Sequence, residues 1–365
     1  MLRLLPEITR DQAVSMGVVS VRTHPLYREW LMGFVRQPGA PRNAGYLLDT
    51  AKAYGDLQEI LPDDDPSDAL GWPNLIAPRE ADVLFVGDSF CNGDSAGTRL
   101  SPPALFARLT GVRVYNASNG GYGLAQYARI IDHLTRGLPE PERFRGKDVV
   151  VLVYLGNDLT ADIMLHKERA RLTEGTAGWM LELGPLRALA SMALAGLGER
   201  TPLAHGDGLY RRVPMACGTA DGLPFSWHPG YGPYAARQTW TRMLPDAKLL
   251  AADLKKLTEG GLDVRMVLIP CSLQVLADDI HWPGLDAASA ALRDLPRMAA
   301  NLEDLRRETA RLFSEAGFEV LDVTDAMKAS TERCGLFQTQ DTHCTSAGYE
   351  FIARAVAGRW PRLGR

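Results

Sequence analysis

From about residue 81 onward, short apolar runs alternate with segments in which apolar residues recur every three or four positions. The uninterrupted runs predict buried parallel strands at 83–86, 112–116, 149–155, 264–269 and 318–323. The recurring pattern predicts helices at 102–110, 124–136, 244–258, 296–316 and 346–358. Such alternation is typical of an α/β fold in which helices cover both faces of a mostly parallel sheet, giving three α/β/α layers.

Two regions depart from this alternation. Residues 1–80 are rich in Pro, Gly and Asp, with short helical patterns near 25–35 and 46–60, and predict an N-terminal extension that packs on the core. Residues 159–245 hold a Leu/Ala-rich helical pattern and then a Pro, Gly and aromatic stretch, and predict a cap-like insertion. The chain is therefore expected to comprise the extension and a second unit, 81–365, that contains the insertion.

Composition narrows the classes of partner. The chain has 365 residues, 46% of them hydrophobic and 23% charged, which is ordinary for a globular enzyme. The net charge of −4 offers no basic excess for a phosphate backbone, so nucleic acid is not an expected partner. No stretch is long and apolar enough to predict a membrane span. The N-terminus lacks the apolar segment of a signal peptide, which predicts a cytoplasmic protein, although a chain trimmed of its export signal would look the same.

The five cysteines are widely spaced, without a C-x-x-C pair. This spacing indicates neither a zinc site nor a disulfide framework, and it favours reduced thiols in a cytoplasm. Three histidines, His205, His228 and His281, lack the spacing of metal ligands. Phosphate- and dinucleotide-binding glycine motifs are also missing from the sequence, so we expect no metal and no cofactor.

Four short motifs follow predicted strands or precede the last helix. They contain Gly87-Asp88-Ser89, Gly121, Gly156-Asn157-Asp158 and Asp341-Thr342-His343. Taken singly, each has an ordinary explanation as a turn, a loop, a helix cap or a chance surface pair. Because ligands on parallel sheets bind beyond the carboxyl ends of the strands, the motifs are nevertheless expected to meet at one site.

These residue types suit acyl transfer chemistry. A serine hydroxyl is a weak nucleophile until a neighbouring base accepts its proton, and a histidine held by a carboxylate is such a base. An asparagine amide or a backbone N–H beside a glycine can donate to the oxyanion that forms.

In this order the four motifs resemble the SGNH, or GDSL-like, hydrolase family, over roughly 82–158 and 262–358. The resemblance implies a flavodoxin-like fold and assigns the nucleophile to Ser89. It implies that the Ser89 and Gly121 N–H groups and the Asn157 side chain form the oxyanion hole. His343 would be the base and then the acid, and Asp341 would orient it. Asp88 is expected to brace the turn through backbone hydrogen bonds.

Two features depart from the family pattern. The aspartate and histidine of the last motif are two residues apart, where some members have three. Cys344 follows the histidine, where proline or a bulky apolar residue is common, and it is expected to alter the pocket floor.

The segment Gly93-Asp94-Ser95-Ala96-Gly97 offers a rival nucleophile, because it matches the G-x-S-x-G elbow of α/β-hydrolases. That elbow requires a serine directly between strand and helix, whereas Ser95 lies nine residues beyond the predicted strand. The sequence therefore favours Ser89.

The resulting hypothesis is hydrolysis of a small acyl ester, such as an acetyl ester, on a carbohydrate or another small molecule. The carbohydrate part rests on the habit of the family and on the aromatic residues of the insertion, among them Trp227, Tyr231 and Trp240. Two alternatives remain open: an O-acyltransferase with the same triad, and a non-catalytic module that binds a glycan or a protein partner.

Overall fold

The computed structural model describes residues 26–27, 35–36, 67–94, 96–120, 122–156, 158–159, 211–217, 220–227, 248, 251–279, 295–338 and 343–364. The strands in these ranges are β1 (Leu26–Tyr27), β2 (Val35–Arg36), β3 (Val83–Gly87), β4 (Val114–Ser118), β5 (Asp148–Tyr154), β6 (Arg211–Cys217), β7 (Ala220–Trp227), β8 (Asp263–Ile269) and β9 (Glu319–Asp322). The helices are α1 (Ser89–Asn92), α2 (Pro102–Thr110), α3 (Leu124–Asp132), α4 (251–259), α5 (Ser272–Leu276), α6 (Leu295–Glu315), α7 (Thr324–Ala329) and α8 (Ser346–Arg359).

Five strands form one parallel sheet in the order β4-β3-β5-β8-β9. Val83 of β3 is in register with Val114 on one side and with Asp148 on the other. All residues of β3 and β5 are buried, as expected for the centre of a sheet that is covered on both faces. The predicted α/β fold with a mostly parallel sheet is confirmed.

The strand order explains the three layers. From β3 the chain moves to one side through α2 to β4, and it then returns across β3 through α3 to β5. Because such crossovers are right-handed, connections that run in opposite directions place their helices on opposite faces of the sheet. The same reversal opens a crevice at the carboxyl ends of the strands, where ligands of such folds bind.

Local sequence signals set the ends of α2. Ser101 caps the first turn by accepting a hydrogen bond from Ala104 N at 3.4 Å, and Pro102 occupies the first helical position. Gly111 ends the helix with φ of 73°, a left-handed conformation that glycine adopts without steric cost. The Ser101-Pro102 start predicted from the sequence is confirmed.

The outer edge of β4 is covered by residues from the N-terminal side. Asn74 mimics a neighbouring strand: its Oδ1 accepts from Asn116 N at 2.7 Å, and its Nδ2 donates to Asn116 O at 3.0 Å. Asp68 accepts a hydrogen bond from the Tyr115 hydroxyl at 2.7 Å. These bonds satisfy polar groups that an open sheet edge would leave exposed. The division of the chain at residue 80 stays a prediction.

Some expected elements differ from the structure. The helical pattern near 25–35 is wrong at both ends, because β1 and β2 pair there as antiparallel strands. The predicted patch at 46–60 and the Leu/Ala-rich part of the insertion lie outside the described residues. Within the insertion, β6 and β7 form an antiparallel hairpin.

The thiols correct another expectation. Cys91, Cys271 and Cys344 are free and buried, whereas Cys334 is disulfide-bonded. Reduced thiols throughout were therefore a wrong expectation at Cys334. A sequence motif reveals only cysteines that are close in the chain, whereas a disulfide forms between residues that the tertiary structure brings together.

No helix in the described ranges is long and apolar enough to cross a membrane. Within the same ranges, no group of three or more His, Cys, Asp or Glu residues is placed to hold a metal ion.

Candidate active site

Ser89 lies at the carboxyl end of the central strand β3 and opens the short helix α1. The turn before it requires a glycine: a Cβ at Gly87 would lie 2.4 Å from Cys91 Cβ, well inside van der Waals contact. Asp88 caps α1 by accepting a hydrogen bond from Phe90 N at 2.9 Å. The expected bracing role of Asp88 is confirmed, and the strand–turn–helix geometry presents the Ser89 hydroxyl at the ligand-binding edge.

His343 meets this serine although 254 residues separate them. Its Nε2 lies 2.8 Å from Ser89 Oγ, a hydrogen-bonding distance for a nucleophile and its base. The structure thus brings together two of the residues that the motifs single out.

A small hairpin before α8 holds His343. Gln338 N donates to His343 O at 2.9 Å, and Phe337 forms an antiparallel bridge with Cys344. Thr345 then caps α8 by accepting from Gly348 N at 3.2 Å. The histidine backbone and the residues that follow it are therefore anchored by hydrogen bonds.

Gly348 allows α8 to approach this hairpin closely. A Cβ at this position would lie 2.0 Å from Leu336 O, a backbone atom that cannot rotate away. Thr345 also donates its hydroxyl to Gly335 O at 2.6 Å, which fixes the start of the helix against the same segment. These contacts hold the start of α8 against the segment that pairs with the chain after His343.

Aromatic rings pack beside the imidazole of His343. Phe90, directly after the serine, stacks on Tyr154 with ring centroids 3.7 Å apart, and its centroid lies 5.0 Å from that of His343. Tyr349 meets Phe90 edge-on at 6.5 Å. The residue after the serine thus supports the imidazole, a function that the sequence motifs did not indicate.

Asp88, directly before Ser89 in the chain, adds a titratable group to the site. Burial raises its pKa to about 6, against the opposing effects of the hydrogen bond from Phe90 N and the charge of His343. Ser89 Oγ lies 3.3 Å from Asp88 Oδ2 and only 2.8 Å from His343 Nε2. Since a hydroxyl has one proton, the shorter distance favours donation to the histidine.

The loop after β4 passes beside the serine. A Cβ at Gly120 would lie 3.7 Å from Ser89 Cβ and 2.9 Å from Asp94 Oδ2. A side chain at this position would therefore press on the carboxylate and approach the nucleophile. Gly121, the predicted oxyanion donor, is the next residue and lies outside the described part of the chain.

The end of β5 is held by the aspartate of the third motif. Asp158 Oδ2 accepts from Tyr154 N and from the Tyr127 hydroxyl, each at 2.7 Å. These bonds fix the chain on both sides of Asn157, which itself is outside the described ranges, as are Asp341 and Ser95. The roles predicted for Gly121, Asn157 and Asp341 therefore remain predictions.

The two cysteines near the site do not supply an alternative nucleophile. Cys91 is completely buried, and burial raises the pKa of its thiol, which keeps it neutral. Its Sγ lies 3.9 Å from Asn116 Oδ1, which also accepts a hydrogen bond from the Ser118 hydroxyl. Cys344 is likewise completely buried and lies in the core. Its expected effect on the pocket floor remains a prediction.

Comparisons with known proteins identify similar solved structures only. No family model and no curated protein matches the chain. A member of the lipolytic G-D-S-L family from Veillonella parvula is 11% identical, with a TM-score of 0.37 over 77% of this chain and 98% of that one. A lipase/acylhydrolase from Enterococcus faecalis is 13% identical, with a TM-score of 0.37 over 76% and 94% of the two chains.

A family two carbohydrate esterase from Clostridium thermocellum, in complex with cellohexaose, is 11% identical, with a TM-score of 0.32 over 76% of this chain and 62% of that one.

Proposed function

We propose that the protein is a serine ester hydrolase in which Ser89 is the nucleophile and His343 is its base. The observation that carries the proposal is the 2.8 Å distance between Ser89 Oγ and His343 Nε2 at the carboxyl end of the central strand. A serine placed after a buried strand, at the start of a helix, and paired with a histidine is an arrangement that activates a hydroxyl for attack.

The proposed reaction has two stages. Ser89 Oγ attacks the ester carbonyl carbon while His343 Nε2 accepts the hydroxyl proton, and a tetrahedral oxyanion forms. The intermediate collapses as His343 returns the proton to the departing alcohol, which leaves an acyl group on Ser89. Water, activated by the same histidine, then attacks the acyl-enzyme and releases the acid.

The remaining residues of the proposed site follow from the motifs. The Ser89 and Gly121 N–H groups and the Asn157 side chain would donate to the oxyanion, each such donor contributing roughly 3–4 kcal/mol in comparable enzymes. Asp341 would orient the imidazole and stabilise its positive charge. A small acyl group, such as acetyl, on a carbohydrate or another polyol is the proposed substrate class.

Hydrolysis of p-nitrophenyl acetate and butyrate tests the proposal. We expect wild type and Ser95→Ala to be active and Ser89→Ala to lose activity by about a thousandfold or more. Labelling by a fluorophosphonate should likewise require Ser89. Loss of activity in Ser95→Ala alone would overturn the choice of nucleophile.

Acyl transfer to another alcohol would use the same acyl-enzyme. Product analysis in the presence of excess polyol separates the two reactions, since a transferase forms acylated acceptor faster than free acid. A wild-type protein that neither turns over esters nor reacts with the fluorophosphonate would instead indicate a non-catalytic binding module.

A further inference from the structure

A second carboxylate lies close to the nucleophile. Asp94 Oδ2 and Ser89 Cβ both border the space that a side chain at Gly120 would fill, at 2.9 Å and 3.7 Å from its Cβ position. The carboxylate oxygen is therefore within about 7 Å of the serine side chain, a distance at which unit charges interact appreciably near a protein surface. Neither the motifs nor the proposed reaction assigns Asp94 a role.

The position of Asp94 is well determined. Its backbone N–H donates to Ser89 O at 2.9 Å, and its carbonyl accepts from the Tyr349 hydroxyl at 2.7 Å. Asn92 Nδ2 donates to Asp94 Oδ1 at 2.8 Å, and this bond holds the carboxylate in one orientation. Asp94 is half-buried, so part of its surface is accessible to solvent.

The charge of Asp94 acts on the residue next to Ser89. Its negative charge contributes to the raised pKa of Asp88, the residue directly before the nucleophile. An anionic group on a substrate bound at Ser89 would meet the same field. A hydroxyl group would instead find a hydrogen-bond acceptor.

We propose that Asp94 is a specificity-determining residue that selects uncharged, hydroxyl-bearing esters and excludes esters with a negative charge close to the scissile bond. This inference rests on the proposed function, because it takes Ser89 as the point where the ester binds. It narrows the substrate class to neutral esters of polyols. Esters whose acyl group or alcohol is acidic are excluded from this class.

Two matched substrate pairs test the selection. For the acyl side, p-nitrophenyl 4-methylpentanoate is compared with the mono-p-nitrophenyl ester of succinic acid, which has nearly the same shape and a negative charge. For the alcohol side, methyl 4-acetoxybenzoate is compared with 4-acetoxybenzoate. Background hydrolysis is measured with Ser89→Ala and subtracted.

We expect wild type to favour the neutral ester in at least one pair. In Asp94→Asn the ratio of kcat/KM values, anionic over neutral, should rise about tenfold, mainly through KM, and the rise should shrink as salt is added. Asp253→Asn removes an exposed carboxylate of α4 that pairs with Lys256, and it is the matched control for net charge. Its ratio should equal that of wild type.

The outcomes separate the two proposals. If both ratios in Asp94→Asn stay within twofold of wild type while hydrolysis still depends on Ser89, the role of Asp94 is wrong and the hydrolase proposal stands. An equal rise in Asp253→Asn would also overturn it, since the effect would then follow net charge. Ester hydrolysis that survives Ser89→Ala would instead refute the proposed function.

Discussion

The two residues of the proposed catalytic pair are held in different ways. Ser89 is positioned by a continuous stretch of chain, in which β3, Gly87 and the Asp88 cap lead directly into α1. His343 is positioned by contacts between segments, in which a small hairpin and the start of α8 meet at Gly348. The position of Ser89 is thus set by the local sequence, whereas the position of His343 depends on packing between segments.

The largest effect should come from removing the base itself. His343→Ala leaves β3 and α1 intact but takes away the proton acceptor, so we expect kcat/KM for p-nitrophenyl acetate to fall by roughly a thousandfold or more. Circular dichroism should show a folded protein. A fall of less than tenfold would contradict the role of His343.

Gly348→Ala tests the packing of α8 that positions His343. Its Cβ would lie 2.0 Å from Leu336 O, so α8 must shift, and we expect a loss of about 2–4 kcal/mol in unfolding free energy together with reduced activity. Gly358→Ala, on the same helix, has no atom within 4 Å of its Cβ and should stabilise the protein by up to about 1 kcal/mol. Chemical denaturation of both variants measures the contrast, and equal stabilities would contradict it.

The disulfide at Cys334 constrains the segment that precedes Phe337 and the His343 hairpin. We expect non-reducing peptide mapping to find the Cys334 peptide only in a disulfide-linked form, because Cys334 is disulfide-bonded. Cys334→Ser should lower the unfolding free energy by about 2–4 kcal/mol. Free Cys334 in the unreduced protein would contradict both expectations.

Asp88→Asn tests the turn that positions Ser89, through the dependence of the unfolding free energy on pH. The folded protein holds the Asp88 proton up to about pH 6, whereas the ordinary value for the unfolded chain is 3.8. Between these values the folded state binds more protons, so this group makes the unfolding free energy fall as the pH rises through the window. The variant, which keeps an oxygen to accept from Phe90 N, should lose this contribution, at about 1.4 kcal/mol for each pKa unit.

Denaturation of wild type and variant at pH 4, 5, 6 and 7 measures the difference. Asp82→Asn is a control in which the pH effect has the opposite sign. The hydrogen bond from Arg113 lowers the pKa of Asp82. The Asp82 carboxylate therefore makes the unfolding free energy rise as the pH rises, and the variant should lose that gain. That gain should be small because the pair is exposed. Parallel curves for wild type and Asp88→Asn would contradict the assigned role of burial.

Much of the core could be predicted because its signals are local. An uninterrupted apolar run such as that of β5 is itself evidence for a buried strand, and Ser101-Pro102 marks a helix start through its own side chains. The first strand pair was mistaken for a helix, because a two-residue strand is too short to show a period of two. The motifs singled out Ser89 and His343, but nothing in them indicated Asp94, whose relevance depends on a loop that follows β4.

The sequence by itself determined the parallel α/β architecture, the turn that presents Ser89, and the identity of the histidine that could serve it. These features depend on periodicity and on residues adjacent in the chain, which a linear pattern records. Only the tertiary structure decided that His343 Nε2 lies 2.8 Å from Ser89 Oγ, that Asp94 borders the nucleophile, and that Cys334 is oxidised. The reason is physical: His343 meets Ser89, and Gly120 meets Asp94 and Ser89, across segments far apart in sequence, and these distances are set by how helices and loops pack around the sheet.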